Sequence, residues 1–162
     1  MAPVIEYDDY DGITVLFDRS RLANRYGERA EAFGYEVDDD LCRLMNDGDA
    51  AAFGTRDGGR VRATVAVGDG GSGFECGIIT TDGGLALAGW HAFTYACDQN
   101  AGVVEQIWGG DLDVPAGRYA VLVERDFTNA DEDAIRVSIW LQPASERDAP
   151  AFSEVPGNDG YF

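Results

Sequence analysis

Apolar residues recur at every second position through much of the chain, most clearly between residues 112 and 142. Over 118–125, Tyr119, Val121 and Val123 share one parity, against Arg118, Ala120, Leu122 and Glu124 on the other. Over 134–141, Ile135, Val137, Ile139 and Leu141 alternate with Ala134, Arg136, Ser138 and Trp140. A period of two with β-branched enrichment predicts strands that bury one face. The seven residues between them, 127–133, hold Asn129, Asp131, Glu132 and Asp133, which solvate a turn, so the unit reads as an antiparallel hairpin. Pro115-Ala116-Gly117 breaks the chain before it, and Pro143, which has no N–H to give a ladder, ends it. Trp140 then stands with Arg136 and Ser138 on the face away from the core, either under another element or open to a partner.

From the N-terminus, residues 4–7 and 13–17 read as a pair of short strands around the acidic turn Asp8-Asp9-Tyr10-Asp11-Gly12. The period then changes. Leu22, Tyr26, Ala30 and Phe33 form a helical stripe after a Ser20 N-cap, although Gly27 weakens that helix by up to about 1 kcal/mol relative to Ala. A second short helix starts at Asp39 or Asp40, where carboxylates suit the N-terminal end of the helix dipole, and presents Leu41, Leu44 and Met45 before Asn46-Asp47-Gly48 stops it. Strands are expected at 50–55, 60–67, 74–80, 85–97 and 103–108, separated by Gly-rich turns in which Asp57-Gly58, Asp69-Gly70 and Asp82-Gly83 are hairpin punctuation. A meander is the simplest tracing. The tail, 144–162, carries Pro150 and Pro156 and has no regular pattern, with Phe152, Tyr161 and Phe162 as possible anchors.

About seven to nine short strands after two N-terminal helices predict a mainly β fold, an antiparallel β-sandwich, with an open β-barrel as the alternative. The chain of 162 residues fits one domain over 1–143 followed by the irregular tail. No apolar run approaches the length of a membrane span, and MAPVIEYDDYDG has neither the basic start nor the apolar core of a signal peptide, so the expected location is cytoplasmic.

Charge changes the picture more than size does. Twelve basic residues, all of them arginine, stand against thirty acidic ones and leave a formal charge of −18. The absence of lysine fits a GC-rich coding background or a salt-adapted proteome, which accounts for part of the acidity without any function. A field this negative repels nucleic acid and anionic membrane, and speeds encounter with cationic surfaces.

The usual frames for chemistry are missing. Cys42, Cys76 and Cys97 have no CxxC spacing and read as buried small hydrophobes, with Cys76 and Cys97 able to pair only if the protein is exported. His91, the single histidine, is read as mid-strand between Trp90 and Ala92, with no nucleophile motif around it. Asn129, Asp131 and Asp133 begin like a calcium loop, but Ala134 replaces the glycine and Trp140 the bidentate glutamate that such a loop needs. Gly68 to Gly73 lacks the Lys and Ser/Thr of a phosphate loop. The sequence therefore assigns no catalytic residue, no metal and no cofactor, and predicts a protein that is not an enzyme. Acidic turns interleaved with Tyr7, Tyr10, Trp108, Trp140 and Tyr161 suit a binding face for a basic protein, with aromatic anchors for burial and carboxylates for steering.

Val114-Pro115-Ala116-Gly117-Arg118-Tyr119, then Val121 and Val123, then a strand over 135–141 ending at Pro143, resembles the closing unit of small bacterial β-sandwich cognate inhibitors. These include the competence nuclease-inhibitor type and toxin-immunity proteins. The resemblance implies a cytoplasmic, non-enzymatic partner of a basic toxin or nuclease effector, and it fixes no inhibitory residue. The expected interface is Asp111, Asp113, Asp131, Glu132, Asp133 and Trp140. The rival reading is a small-ligand or carbohydrate-binding sandwich that stacks its ligand on Trp90, Trp108 or Trp140.

Overall fold

The strands fall into two sheets, of which the first holds the clearest alternation, in β1 and β4, and the second the fully buried β2 and β3. The computed structural model describes residues 2–26, 37–56, 59–94, 110–128, 134–144 and 148–158. The first sheet has the order β1 (Val4–Asp9), β4 (Gly59–Val67), β9 (Ala134–Pro143), β8 (Gly117–Asp126), β5 (Phe74–Thr81). The second has the order β3 (Ala50–Gly54), β2 (Ile13–Phe17), β6 (Gly84–Gly89), β7 (Gly110–Asp113). The sheets share no strand, so the fold is a mainly β sandwich and not a barrel.

One face of the first sheet meets the second sheet, and its strands alternate accordingly, as in the buried Ile5, Tyr7 and Asp9 of β1 against the exposed Val4, Glu6 and Asp8. The second sheet is covered on both faces over β2, β3 and β6. Its strands ITVLF and AAAFG are buried at every position, the pattern expected of a strand with no solvated side. Between the sheets lie Leu16, Phe53, Leu85, Leu87 and Leu112 against Val61, Val65, Val121, Val123, Ile139 and Leu141. On the far side of the second sheet, α1 (Arg19–Tyr26), α2 (Val37–Asn46) and α3 (Trp90–Thr94) bring Leu22, Leu41, Leu44, Met45 and Phe93 onto Ala50, Ala52, Ala86 and Ala88. The alanines leave room for the helices to approach.

The β8–β9 hairpin forms as its alternation predicts, with Leu122 opposite Trp140 and Val123 opposite Ile139. The meander does not. β4 runs parallel to β9, and consecutive strands keep crossing between sheets. β1 and β2 are likewise not a pair: β1 joins β4, and β2 joins β3 and β6. Their acidic turn is a corner between the sheets, eased by Gly12 at a φ of 70°.

The strand expected over 85–97 stops at Gly89, where an added Cβ would lie 3.1 Å from Asp9 Cα. The chain turns there into α3, so His91 is an exposed helical residue, not a mid-strand one. Trp90 and Phe93, three apart, pack their rings 5.5 Å from each other, and Phe93 meets Phe17 edge-on at 4.9 Å. The strand expected at 103–108 lies outside the described residues, as do Cys97, Trp108, Tyr161, Phe162 and the second half of the first predicted helix.

The tail has no helix or strand among residues 148–158, but it is held down. Asn46 Oδ1 accepts from Phe152 N at 2.7 Å, and Asn46 Nδ2 donates to Phe152 O at 3.0 Å. Val155 is buried against the helical layer, and Gly54 N donates to Pro156 O at 2.9 Å. Arg125 Nη1 ties the strap to the end of β3 by donating to both Gly54 O and Gly157 O.

Candidate partner-binding surface

β7 carries Leu112 into the core between the sheets, which puts Asp111 and Asp113 on the opposite parity, both exposed. Asp111 Oδ1 lies 3.6 Å from Arg19 Nη2 on α1, and Asp82 Oδ1 lies 3.3 Å from Arg21 Nη1. Asp18 locks this corner. Its Oδ1 caps α1 through Arg21 N, and its Oδ2 accepts from Thr81 Oγ1 and Asp82 N. Burial raises the Asp18 carboxyl, but these hydrogen bonds outweigh it and hold the group below the usual carboxylate range.

Beside Asp113, where the residues preceding β1 and the end of β4 meet β7, there is a hollow of about 310 Å³. Among the described residues Ala2, Pro3, Val65, Ala66, Val67, Leu112, Asp113 and Val114 line it, and of these Asp113 alone is charged. Val65, Leu112 and Val114 are buried in its wall, whereas Val67 is 46% exposed.

Trp140 is not part of this surface. Val137, Ile139 and Leu141 take the core parity of β9, so Trp140 sits on the outer face of the first sheet, while Asp111 and Asp113 belong to the outer side of the second. The turn after β4 covers it: a Cβ on Gly71 would stand 2.6 Å from Trp140 Cγ, and Gln142 Nε2 donates to Gly70 O beside it. The expected interface is therefore divided. Asp111 and Asp113 come together on β7, Trp140 belongs to the outer face of the other sheet, and Asp131, Glu132 and Asp133 lie outside the described residues. Trp90 is only 5% exposed. Of the tryptophans named for stacking a ligand, Trp90 is thus buried, Trp140 is partly exposed beside Gly71, and Trp108 lies outside the described residues.

Tyr7, read from the sequence as one of the aromatics of a binding face, and Asp9, read as part of an acidic turn, are both buried. Asp9 Oδ1 accepts from Ile13 N, and its Oδ2 accepts from Thr14 Oγ1 and, at 2.5 Å, from Thr55 Oγ1, while Tyr7 Oη shares a hydrogen bond with Thr14 Oγ1. Burial dominates and pushes the Asp9 carboxyl up to about 6 despite these donors. Extending the alternation Ile5, Tyr7, Asp9 would have found it. The hollow had no such signal, because its walls come from three distant stretches. Glu6, on the exposed face of β1, is held below the usual range by its hydrogen bond from Arg62, with Arg60 adding to it. Among the described residues no group of three or more His, Cys, Asp or Glu is placed to hold a metal, and no helix is long and apolar enough to cross a membrane.

No known family model matches the chain, and no curated protein matches it in sequence. In three dimensions it is similar to a solved structure described as "Crocagin biosynthetic gene J", with a TM-score of 0.55 and 16% identity over 91% of this chain and 99% of that one. At that identity the likeness speaks for the sandwich fold alone.

Proposed function

We propose that the protein is an acidic inhibitor of the immunity type, which binds a basic protein effector, a toxin or nuclease, and covers its active cleft. The observation that carries this reading is the fate of the arginines. Arg19, Arg21, Arg60 and Arg62 face carboxylates of the same chain. Arg118 and Arg125 donate to backbone carbonyls, and Arg56 lies 3.8 Å over the Phe127 ring. These seven arginines are thus engaged within the fold, while Asp39, Asp69, Asp113, Asp148 and Glu154 stand exposed. With a formal charge of −18, this surface favours encounter with a cationic partner.

The test uses the full chain as bait in its native lysate at low and at high salt, followed by an activity assay of whatever is retained. The expected result is one basic protein at a one-to-one ratio whose toxic or nucleolytic activity is abolished by a stoichiometric amount of this chain. Retention of nothing, or of a protein whose activity is undiminished, overturns the reading.

A further inference from the structure

Six Asp-Gly pairs punctuate the chain, at 11–12, 47–48, 57–58, 69–70, 82–83 and 159–160, and four of them fall among the described residues. We infer that Asp69 is a site of backbone self-modification. Of these four pairs, it is the one whose link to Gly70 converts to the β-linked, isoaspartyl form while the protein stays folded.

The reaction needs an available amide and an available carboxyl. Gly70 N attacks Asp69 Cγ and gives up its proton, a hydroxyl leaves that carbon, and the two depart as water, closing a five-membered succinimide. Water then opens the ring. Attack at the side-chain carbonyl restores aspartate, whereas attack at the main-chain carbonyl leaves the chain running through Cγ, with the α-carboxylate as a branch. One water leaves and one returns, so the mass is unchanged, and no partner, oxidant or enzyme takes part. Glycine as the following residue favours closure, because no Cβ crowds the ring and the backbone turns easily.

Three of the pairs are held against it. Gly12 is buried in the corner between the sheets, and its carbonyl accepts from Thr55 N at 2.7 Å. Gly48 N donates to Met45 O at 3.1 Å, and Gly48 O accepts from Thr80 N at 3.0 Å. Gly83 N donates to Thr81 Oγ1 at 3.1 Å, while the Asp82 carboxylate pairs with Arg21. Each must open locally before it can react. The turn from β4 to β5 has no such lock at Asp69. Residues 69–73 are all exposed, and among the described residues neither the Asp69 carboxyl nor Gly70 N has a hydrogen-bond or ion-pair partner. Gly70 O does accept from Gln142 Nε2 at 3.2 Å, but that bond fixes the 70–71 peptide and not the 69–70 one. Just beyond, Gly71 lies so near the indole of Trp140 that a Cβ would stand 2.6 Å from Cγ. A β-linkage adds one methylene to the main chain ahead of this contact, so conversion lifts Gly71 off Trp140.

The test ages the full chain in mildly acidic buffer below its unfolding transition. Isoaspartate at each pair is quantified by peptide mass spectrometry, with methyl transfer by an isoaspartyl carboxyl methyltransferase as a second readout. It is expected to accumulate at 69 about ten-fold faster than at 11, 47 or 82, since those pairs must first open one or two hydrogen bonds. In urea, which removes the locks, the four rates are expected to converge. Gly70→Ala places its methyl where nothing lies within 4 Å, so it is expected to keep the unfolding transition and to lose most of the signal at 69. Tryptophan emission is expected to shift to the red in step with conversion. Equal rates at the four pairs in the folded chain, the same ranking in urea as in buffer, or undiminished conversion of Gly70→Ala overturns the assignment. Emission that stays in place while 69 converts overturns the coupling to Trp140.

Discussion

Asp9 shows how one side chain can tie the acid response of the protein to its architecture. It closes the corner at which the chain leaves the first sheet for the second, and it does so as a buried carboxylate, with its proton affinity raised from 3.8 to about 6. A group bound more tightly to its proton in the folded than in the unfolded chain makes stability rise as pH falls between the two values. Above pH 6 the folded state carries a buried charge at a cost of about 3 kcal/mol, which is relieved progressively down to pH 4. Glu6, Asp18 and Asp126 act in the opposite direction, because their folded values are lowered, but they lose their contribution only below the ordinary carboxylate range. Urea unfolding is therefore expected to show stability increasing from pH 7.5 to pH 5. Asp9→Asn keeps an acceptor for Ile13 N and carries no charge, so it is expected to flatten that rise. A variant with the same pH slope as the parent chain would mean that Asp9 is not its source.

The strap formed by residues 148–158 behaves as an element although it has no regular structure. Its anchors are few and local: the reciprocal bonds between Asn46 and Phe152, the burial of Val155, and the Arg125 bridge between Gly54 and Gly157. Asn46→Ala removes two hydrogen bonds at a partly solvated site and is expected to cost about 1–2 kcal/mol. Limited proteolysis should then cut within 148–158 before the sheets open, and resistance equal to that of the parent chain would show that Asn46 does not hold the strap. Elements of this kind mark the boundary of what the sequence discloses. β8 and β9 were readable because Tyr119, Val121 and Val123, and Val137, Ile139 and Leu141, hold one parity while Arg118, Glu124, Arg136 and Ser138 fall on the other. α2 was readable from Leu41, Leu44 and Met45 on one side. β6 and α3 were not separable, because Leu85 to Phe93 is apolar on both faces of a covered sheet, and only the spacing of Trp90 and Phe93 betrays the helix. The parallel pairing of β4 with β9 joins stretches some seventy residues apart, as in Val65 opposite Ile139, and no local pattern encodes it. The candidate site shared that fate: Asp111 and Asp113 could be named from charge, but the hollow beside Asp113 exists only once residues 2–3, 65–67 and 112–114 are brought together.

For the molecule as a whole, a formal charge of −18 on 162 residues acts on stability and on binding with opposite signs, and salt separates the two. Like charges repel one another most in the compact state, so screening favours folding; at about 0.15 M ionic strength the screening length is already only about 8 Å. Thermal unfolding of the free chain is therefore expected to shift upward by several degrees between 10 mM and 500 mM sodium chloride. Capture of a basic partner depends on the same field reaching across solvent, and screening removes it, so the association rate is expected to fall by at least ten-fold over the same range. Dissociation should change far less, because the contacts that hold the complex are short and shielded from solvent. An acidic surface that merely follows the composition of its proteome would give the first effect without the second. Stopped-flow association beside thermal unfolding in the same buffers decides between them. A rising melting temperature with an association rate indifferent to salt would assign the charge to composition and leave any partner to be recognised by shape.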